Sequence, residues 1–106
     1  GDHVLREITR IAKDSLRGID KVGRYGGEEF LIILPETDIE KAALVAERLR
    51  AAVDNAVIEL DGNRLHVTMS GGVASYESGR EEKDLIKVAD DNLYRAKKEG
   101  KNRICL

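Results

Sequence analysis

Hydrophobic residues recur at helical spacing in three segments of the chain, and this pattern predicts three amphipathic helices. The segments are residues 3–16, 38–53 and 83–98. Gly18 follows the first segment and Gly100 follows the third, as is typical of residues just beyond the end of a helix. We therefore predict helices over these three ranges.

Shorter hydrophobic runs between the helical segments predict strands. Residues 21–25 and 30–34 flank Gly26-Gly27, a pattern typical of a β-hairpin. The run 30–34 is continuously apolar, so we predict that this strand is buried on both faces. The remaining predicted strands are 57–60, 64–69 with an extension to 73–74, and 103–106.

These elements follow the order α-β-β-α-β-β-α-β, in which helices and strands mix without the regular alternation of a doubly wound sheet. The order predicts an α+β fold, with helices packed against one antiparallel-rich central sheet. The chain has 106 residues, which is enough for one small domain with a modest core.

The composition narrows the classes of partner. Charged residues make up 36% of the chain but nearly balance at a net charge of -2, which argues against nucleic-acid binding and against direct membrane contact. No stretch approaches the roughly 20 apolar residues of a membrane span, so we expect a cytoplasmic domain, in a protein that is free or membrane-tethered. Cys105 is the single cysteine, which excludes an internal disulfide and favours a small buried hydrophobe.

The most informative polar motif lies between the two hairpin strands, where Gly26 and Gly27 are followed by Glu28 and Glu29. Glycines let phosphate oxygens approach the backbone, and carboxylate oxygens are the ligands that Mg²⁺ prefers. An ordinary hairpin turn with two solvated acids has the same residues. The tetrapeptide alone therefore leaves a ligand site and a plain turn both open.

The segment Arg24-Tyr25-Gly26-Gly27-Glu28-Glu29-Phe30 resembles the signature hairpin of GGDEF domains, the diguanylate cyclases, in the variant with Glu at the third position. Further segments that resemble the family, in the family's order, are 1–2, 17–20, 70–74, 89–97 and 100–102. The resemblance implies a ferredoxin-like fold similar to the palm of nucleotide polymerases and class III nucleotide cyclases. It also implies an enzyme in which two GTP molecules, one on each of two facing domains of a homodimer, condense to cyclic di-GMP and pyrophosphate.

The resemblance assigns roles to the residues of the hairpin turn. It implies that Glu28 is the ligand of a divalent cation, Mg²⁺ or Mn²⁺, and the general base, and that Glu29 has a supporting catalytic role. Gly26 and Gly27 would admit the triphosphate. Asp2 matches a carboxylate that accepts hydrogen bonds from the guanine edge. The residue pattern by itself favours a helix N-cap for Asp2, and the two roles are compatible.

Two lysines at the end of the third helical segment match cations that hold the terminal phosphates of GTP in the family. These are Lys97 and Lys101, and Lys101 stands where an Arg is common, which keeps the charge but loses the bidentate fork. The alternative for both is favourable placement at the C-terminal end of a helix, where cations stabilise the helix dipole.

Arg17 and Asp20 match the family's Arg-x-x-Asp inhibitory site for cyclic di-GMP. An arginine can pair with guanine O6 and N7, and Asp20 can accept from guanine N1 or N2. A surface salt bridge of little energetic value is the alternative. Arg48 matches a secondary contact for the same ligand, with a solvated surface position as its alternative. His3 and His66 lack metal-ligand spacing, and we assign neither a function.

In the family, a strand and a helix precede the residue that matches Gly1, and they supply a metal-binding Asp and a guanine-reading Asn. The resemblance therefore implies that residues 1–106 are the C-terminal two-thirds of a GGDEF domain, without its first strand and helix. That strand would pair beside residues 30–34, which are left with an open edge. We expect these residues alone to make no cyclic di-GMP. A non-catalytic cyclic di-GMP-binding module and a dimerisation module are the alternatives.

Overall fold

The computed structural model describes residues 2–76 and 81–106, except for the side chain of Asp2. Within these ranges it contains three helices and six short strands. The helices are α1 (Asp2–Asp14), α2 (Ile39–Asn55) and α3 (Glu82–Lys98). The strands are β1 (Lys21–Gly26), β2 (Glu29–Ile33), β3 (Ile58–Leu60), β4 (Asn63–Leu65), β5 (Gly71–Gly72) and β6 (Ile104–Cys105). All three predicted helices and the predicted hairpin are therefore present.

The hydrophobic core lies between α1 and α2. Ile11 and Ala12 of α1 are buried against Leu49 and Val53 of α2. Half-buried side chains of the hairpin, Val22 and Ile32 among them, pack against the same cluster. The hairpin is thus fixed to the two helices by its apolar face, which leaves its turn at the surface.

The strands of the described residues pair in three two-stranded sheets. β1 pairs with β2 and β3 pairs with β4, both antiparallel, whereas β5 pairs with β6 in parallel. The α+β class and the predominance of antiparallel pairs are confirmed. Residues 2–76 and 81–106 include no helix with the length and apolar character of a membrane span.

The predicted strand over 64–69 is wrong beyond Leu65, where β4 ends. The alternation of the segment is nevertheless real, because Leu65, Val67 and Met69 are half-buried while His66 and Thr68 are exposed. Val67 and Met69 pack against the core between the helices. The segment runs extended along the core but, within the described residues, no neighbouring strand continues the ladder.

The prediction that β2 is buried on both faces is also wrong. Its first four residues are half-buried, and Ile33 is 54% exposed. Among the described residues β1 is the only strand that pairs with β2, so one edge of β2 carries no ladder. A continuous apolar run predicts two covered faces only when neighbouring elements supply the cover.

Helix α3 lies directly on β5. The space that a Cβ at Gly72 would occupy is filled by backbone atoms of Ala89 and Leu93 in α3. Asn92 Nδ2 donates to the carbonyl oxygen of Val73 at 2.9 Å, which ties the helix to the residue after the strand. Cys105 of the partner strand β6 is buried, as expected for a small hydrophobe. The close approach of Gly72 to α3, together with the Asn92–Val73 hydrogen bond, fixes the C-terminal half of α3 relative to β5 and β6.

Candidate functional site

The turn of the β1–β2 hairpin exposes a backbone that is shaped by its glycines. Gly27 has a φ of +49°, a left-handed conformation that glycine adopts without steric cost. A Cβ at Gly26 or Gly27 would meet no atom within 4 Å, so the backbone here is open to close approach by a ligand. The register shifts between Arg24 and Gly26, which marks a β-bulge beside the turn.

Arg24 braces this turn. Its Nη2 donates to the carbonyl oxygen of Gly27 at 2.6 Å, and its guanidinium lies 6.0 Å from the centre of the Phe30 ring. We did not assign Arg24 a role from the sequence. Its position within the signature heptapeptide was a usable signal, because an arginine beside a glycine turn is well placed to bond a turn carbonyl.

The turn brings Glu29 to the end of α3. Glu28 is exposed, whereas Glu29 is half-buried at the start of β2. Lys97 Nζ in the last turn of α3 lies 3.7 Å from Glu29 Oε2. Glu29 and Lys97 also line a hollow of about 240 Å³ together with Asp90, Leu93 and Tyr94. The structure therefore places a cation from the end of the chain beside the acidic turn.

The contact between Lys97 and Glu29 is an exposed one, with side chains 49% and 42% exposed. Exposed ion pairs contribute little stability, so this contact does not fix the Lys97 ammonium firmly in place. Lys97 is therefore an exposed cation beside Glu29 of the acidic turn.

The donor set at the turn suits a hard divalent cation in part. Glu28 and Glu29 offer carboxylate oxygens, the ligand type that Mg²⁺ and Mn²⁺ prefer. Within residues 2–76 and 81–106, no cluster of three or more His, Cys, Asp or Glu residues is arranged to hold a metal ion. The two acids fit a site in which nucleotide oxygens, water or further residues complete the coordination.

Two other predicted substrate contacts lie near the ends of helices. Lys101 is exposed in the turn that follows α3, and its amide donates to the carbonyl oxygen of Ala96 at 3.0 Å. Asp2 is the first residue of α1, and its side chain lies outside the described part of the chain. The guanine contact predicted for Asp2 therefore stays a prediction.

Arg17 and Asp20 are in direct contact. Arg17 Nη2 donates to Asp20 Oδ1 at 2.8 Å, and the Arg17 amide donates to Asp20 Oδ2, also at 2.8 Å. The Asp20 side chain is only 2% exposed. The hydrogen bond from Arg17 lowers the pKa of the Asp20 carboxyl, which keeps this group ionised.

The same guanidinium is tied to the loop before α2. Arg17 Nη2 donates to the carbonyl oxygen of Pro35 at 3.0 Å and to Thr37 Oγ1 at 2.9 Å. The pair is thus more ordered than a solvated salt bridge, because the Arg17 guanidinium is bonded both to Asp20 and to two groups of the loop before α2. Arg48 is exposed on α2, and its role as a ligand contact stays a prediction.

The two histidines make local hydrogen bonds. His3 Nε2 lies 2.9 Å from the carbonyl oxygen of Glu59, and His66 Nε2 lies 2.7 Å from Asp54 Oδ1. The contact with His66 is the main reason that the pKa of Asp54 is lowered. These contacts link α1 with β3 and α2 with the segment after β4.

Comparison with known proteins agrees with the sequence and the geometry. The family model for the diguanylate cyclase GGDEF domain matches residues 1–103. Diguanylate cyclase A of Treponema denticola is 43% identical over 107 residues, which cover all of this chain and 29% of that relative. The chain thus spans less than a third of that relative's length.

Solved structures of the same kind superpose on this chain. Diguanylate cyclase SiaD of Pseudomonas aeruginosa, in complex with its activator SiaC, has a TM-score of 0.92 at 38% identity, over 97% of this chain and 40% of that chain. The GGDEF domain of DgcB from Caulobacter crescentus, in complex with c-di-GMP, has a TM-score of 0.92 at 27% identity, over 98% and 63% of the two chains. The chain belongs to the family of diguanylate cyclase GGDEF domains.

Proposed function

We propose that this chain is part of the catalytic domain of a diguanylate cyclase, which condenses two GTP molecules to cyclic di-GMP and pyrophosphate. The observation that carries this proposal is the meeting of the acidic glycine turn with Lys97, at 3.7 Å from Glu29. Acids for a cation, open backbone for phosphate oxygens and an exposed ammonium are groups that phosphoryl transfer uses. Family membership supplies the substrate class.

The reaction consists of two transfers, each of which joins the ribose 3′-hydroxyl of one GTP to the α-phosphorus of the other. Each transfer releases one pyrophosphate, and the second closes the ring of cyclic di-GMP. Glu28 accepts the proton of the attacking hydroxyl as general base. Glu28, supported by Glu29, would also hold a divalent cation, Mg²⁺ or Mn²⁺, which neutralises charge on phosphate oxygens when bound. Arg24 keeps the turn in shape by its bond to the Gly27 carbonyl.

The remaining residues of the proposed site bind the nucleotide. Lys97 and Lys101 hold the terminal phosphates, and Gly26 and Gly27 let the triphosphate lie close to the backbone. Asp2 accepts hydrogen bonds from the guanine edge. One such site holds one GTP, so catalysis requires two copies that face each other in a homodimer. GTP is a cytoplasmic nucleotide, and we place the domain in the cytoplasm.

The direct test is turnover by the native protein that carries this chain. We expect incubation with GTP and Mg²⁺ to yield cyclic di-GMP and pyrophosphate, detected by chromatography, and we expect residues 1–106 alone to yield neither. A native protein that binds GTP and metal but forms no product would contradict the enzymatic proposal. Product formed by residues 1–106 alone would contradict the expectation that the site needs further residues.

We further propose that Arg17 and Asp20, with Arg48, bind cyclic di-GMP as an inhibitory site. Arg17 is already held in direction by the carbonyl of Pro35 and the hydroxyl of Thr37, so little side-chain entropy is lost when it pairs with guanine. Asp20 is ionised and buried behind Arg17. A ligand that pairs with Arg17 would have to draw Asp20 partly away from it.

Replacement of Arg17 by Ala is expected to weaken cyclic di-GMP binding by about tenfold to 100-fold, because a good arginine–guanine pair contributes about 1–3 kcal/mol. Isothermal titration of cyclic di-GMP into wild type and variant measures this. Arg64→Ala is the matched control, since the Arg64 side chain is 80% exposed and lies at β4. Equal affinity of wild type and Arg17→Ala, with circular dichroism unchanged, would end the inhibitory-site proposal.

A second candidate function is a cyclic di-GMP-binding module without catalysis. The ordered Arg17–Asp20 pair favours it, because the side-chain hydrogen bonds that hold this pair in the described part of the chain go to the loop before α2 and not to the hairpin turn. The two functions are distinguished by whether cyclic di-GMP is formed from GTP. A protein that binds cyclic di-GMP, forms none from GTP and shows no change in GTP affinity on substitution of Glu28 would be a receptor.

A further inference from the structure

The turn after α3 has an unusual backbone. Gly100, Lys101 and Asn102 have φ values of +130°, +63° and +48° in succession. Residues other than glycine adopt such angles at a cost, and asparagine tolerates them better than lysine. A turn of this kind persists only where the surrounding structure fixes it.

Three hydrogen bonds fix the turn. The Lys101 amide donates to the carbonyl oxygen of Ala96 at 3.0 Å, and the Asn102 amide donates to Ser70 Oγ at 3.1 Å. Asn102 Oδ1 accepts from Arg50 Nη1 at 2.7 Å. These bonds link the turn to α3, to the residue before β5 and to α2. The backbone of Lys101 is therefore held from both sides.

Arg50 is itself aimed by the acids of its own helix. Its Nη2 donates to Glu47 Oε1 at 2.6 Å, and its Nη1 lies 3.6 Å from Asp54 Oδ2. The Arg50 side chain is only 18% exposed. Glu47 fixes the Nε and Nη2 edge of the guanidinium, and the remaining nitrogen, Nη1, donates to Asn102 Oδ1. Arg50 thus connects α2 with the turn after α3 through an ordered side chain.

We infer that Arg50 and Asn102 are positioning residues that hold Lys101 where it binds the terminal phosphates of GTP. This inference rests on the proposed function. Lysine is a point charge on a flexible stem, so it lacks the planar fork with which an arginine selects its own geometry. The precision of a phosphate contact made by Lys101 must then come from its backbone, and Arg50 and Asn102 set that backbone.

The structural half of the inference is tested by hydrogen exchange in the native protein. We expect Arg50→Met to speed exchange of the Lys101 amide by at least about tenfold, while amides in the middle of α2 and α3 keep their rates. Arg64→Met removes an exposed arginine at the surface and serves as the control. An unchanged exchange rate of the Lys101 amide would show that Arg50 does not hold this turn in place, which would overturn the inference.

Asn102→Gly provides a second variant that allows the positive φ without strain and removes the whole Asn102 side chain. It separates loss of the Arg50 contact from backbone strain, because glycine adopts this φ freely. The variant is expected to speed exchange at Lys101 as Arg50→Met does. Normal exchange in Asn102→Gly would show that the side-chain contact does not hold the turn.

The functional half is a double-mutant cycle with Lys101→Met. We expect Arg50→Met and Asn102→Gly each to raise the KM for GTP by about 10- to 100-fold, since misplacement of a binding group by an ångström has effects of this size. In the Lys101→Met background they should raise it no further. A full additional effect in that background would show that Arg50 and Asn102 act through the fold in general, which would overturn the inference.

Failure of the proposed function has a different signature. A native protein that turns over no GTP would contradict the proposed enzyme. The exchange rate of the Lys101 amide would still show whether Arg50 and Asn102 hold the turn after α3. A protein with normal turnover in which Lys101→Met leaves KM unchanged would contradict the phosphate role of Lys101 alone.

Arg50→Lys, which keeps the charge and loses the planar fork, should retain less than half of the wild-type protection of the Lys101 amide against hydrogen exchange.

Discussion

Replacing Glu28 by Gln is expected to lower GTP turnover by the native protein by about 10²–10⁴-fold, the range that a general base contributes. The amide keeps the size of the side chain but can neither take the proton of the ribose hydroxyl nor neutralise a divalent cation. Glu28 is exposed at the hairpin turn, so the loss of its charge removes no packing. Initial rates of pyrophosphate release at saturating GTP and Mg²⁺ measure the change.

Two comparisons make this result specific. Glu59→Gln removes a carboxylate that is 72% exposed on β3, outside the proposed site, and should leave the turnover rate within about twofold of wild type. Cyclic di-GMP affinity of Glu28→Gln should equal that of wild type, because within the described residues the Arg17 side chain bonds to Asp20 and to the loop before α2 rather than to the hairpin turn. Turnover that persists in Glu28→Gln with an intact fold would remove Glu28 from the mechanism.

The helices could be predicted from the sequence because their signals are local. The apolar periodicity of residues 38–53 lies within a few positions of α2, Ile39–Asn55. Strand pairing is different, since it depends on a neighbour that the segment itself does not encode. Residues 65–69 alternate inward and outward as predicted, yet the ladder ends at Leu65. The pattern established which side chains face the core and left the pairing undetermined.

The site shows the same division. Glycines followed by acids mark the turn directly, but nothing in the spacing of Lys97 predicts its contact with Glu29. The family resemblance implied a phosphate contact for Lys97 and no contact with Glu29. Arg50 escaped notice because its partner Asn102 is 52 residues away in the sequence. Arg24 was missed because it bonds a backbone carbonyl, which hydrophobic periodicity does not record, and only its place beside the glycine turn offered a signal. Long-range contacts and contacts with the backbone are the features of the site that could be found only from the structure.

Replacement of Gly72 by Ala is expected to destabilise the domain at the upper end of the range of about 1–3 kcal/mol that overpacking costs. A Cβ there would overlap backbone atoms of Ala89 and Leu93, which cannot rotate away as a side chain can. Because about 1 kcal/mol shifts the midpoint of a small domain by about 4–8 °C, we expect Tm to fall by more than about 10 °C. Thermal unfolding followed by circular dichroism measures it.

Two other glycines supply controls for this experiment: Gly71, which adjoins Gly72, and Gly18, which lies between α1 and β1. A Cβ at Gly71 would meet Ile104 Cδ1, the far end of a flexible side chain, so Gly71→Ala should cost less than Gly72→Ala. A Cβ at Gly18 would meet nothing within 4 Å, so Gly18→Ala should be neutral or slightly stabilising. Equal midpoints for all three variants would show that the close approach of α3 to β5 is not a constraint on stability.

The same substitution connects the packing to the chemistry. Helix α3 carries Lys97, whose ammonium lies 3.7 Å from Glu29, and the turn with Lys101 follows the helix directly. If Gly72→Ala shifts α3 away from β5, both lysines move relative to a hairpin that is fixed to α1 and α2. The folded variant should then show a raised KM for GTP at temperatures below its midpoint, with cyclic di-GMP affinity unchanged. A variant with lowered Tm but normal KM would show that the lysines reach the phosphates without help from this contact, since their long stems would then absorb the shift.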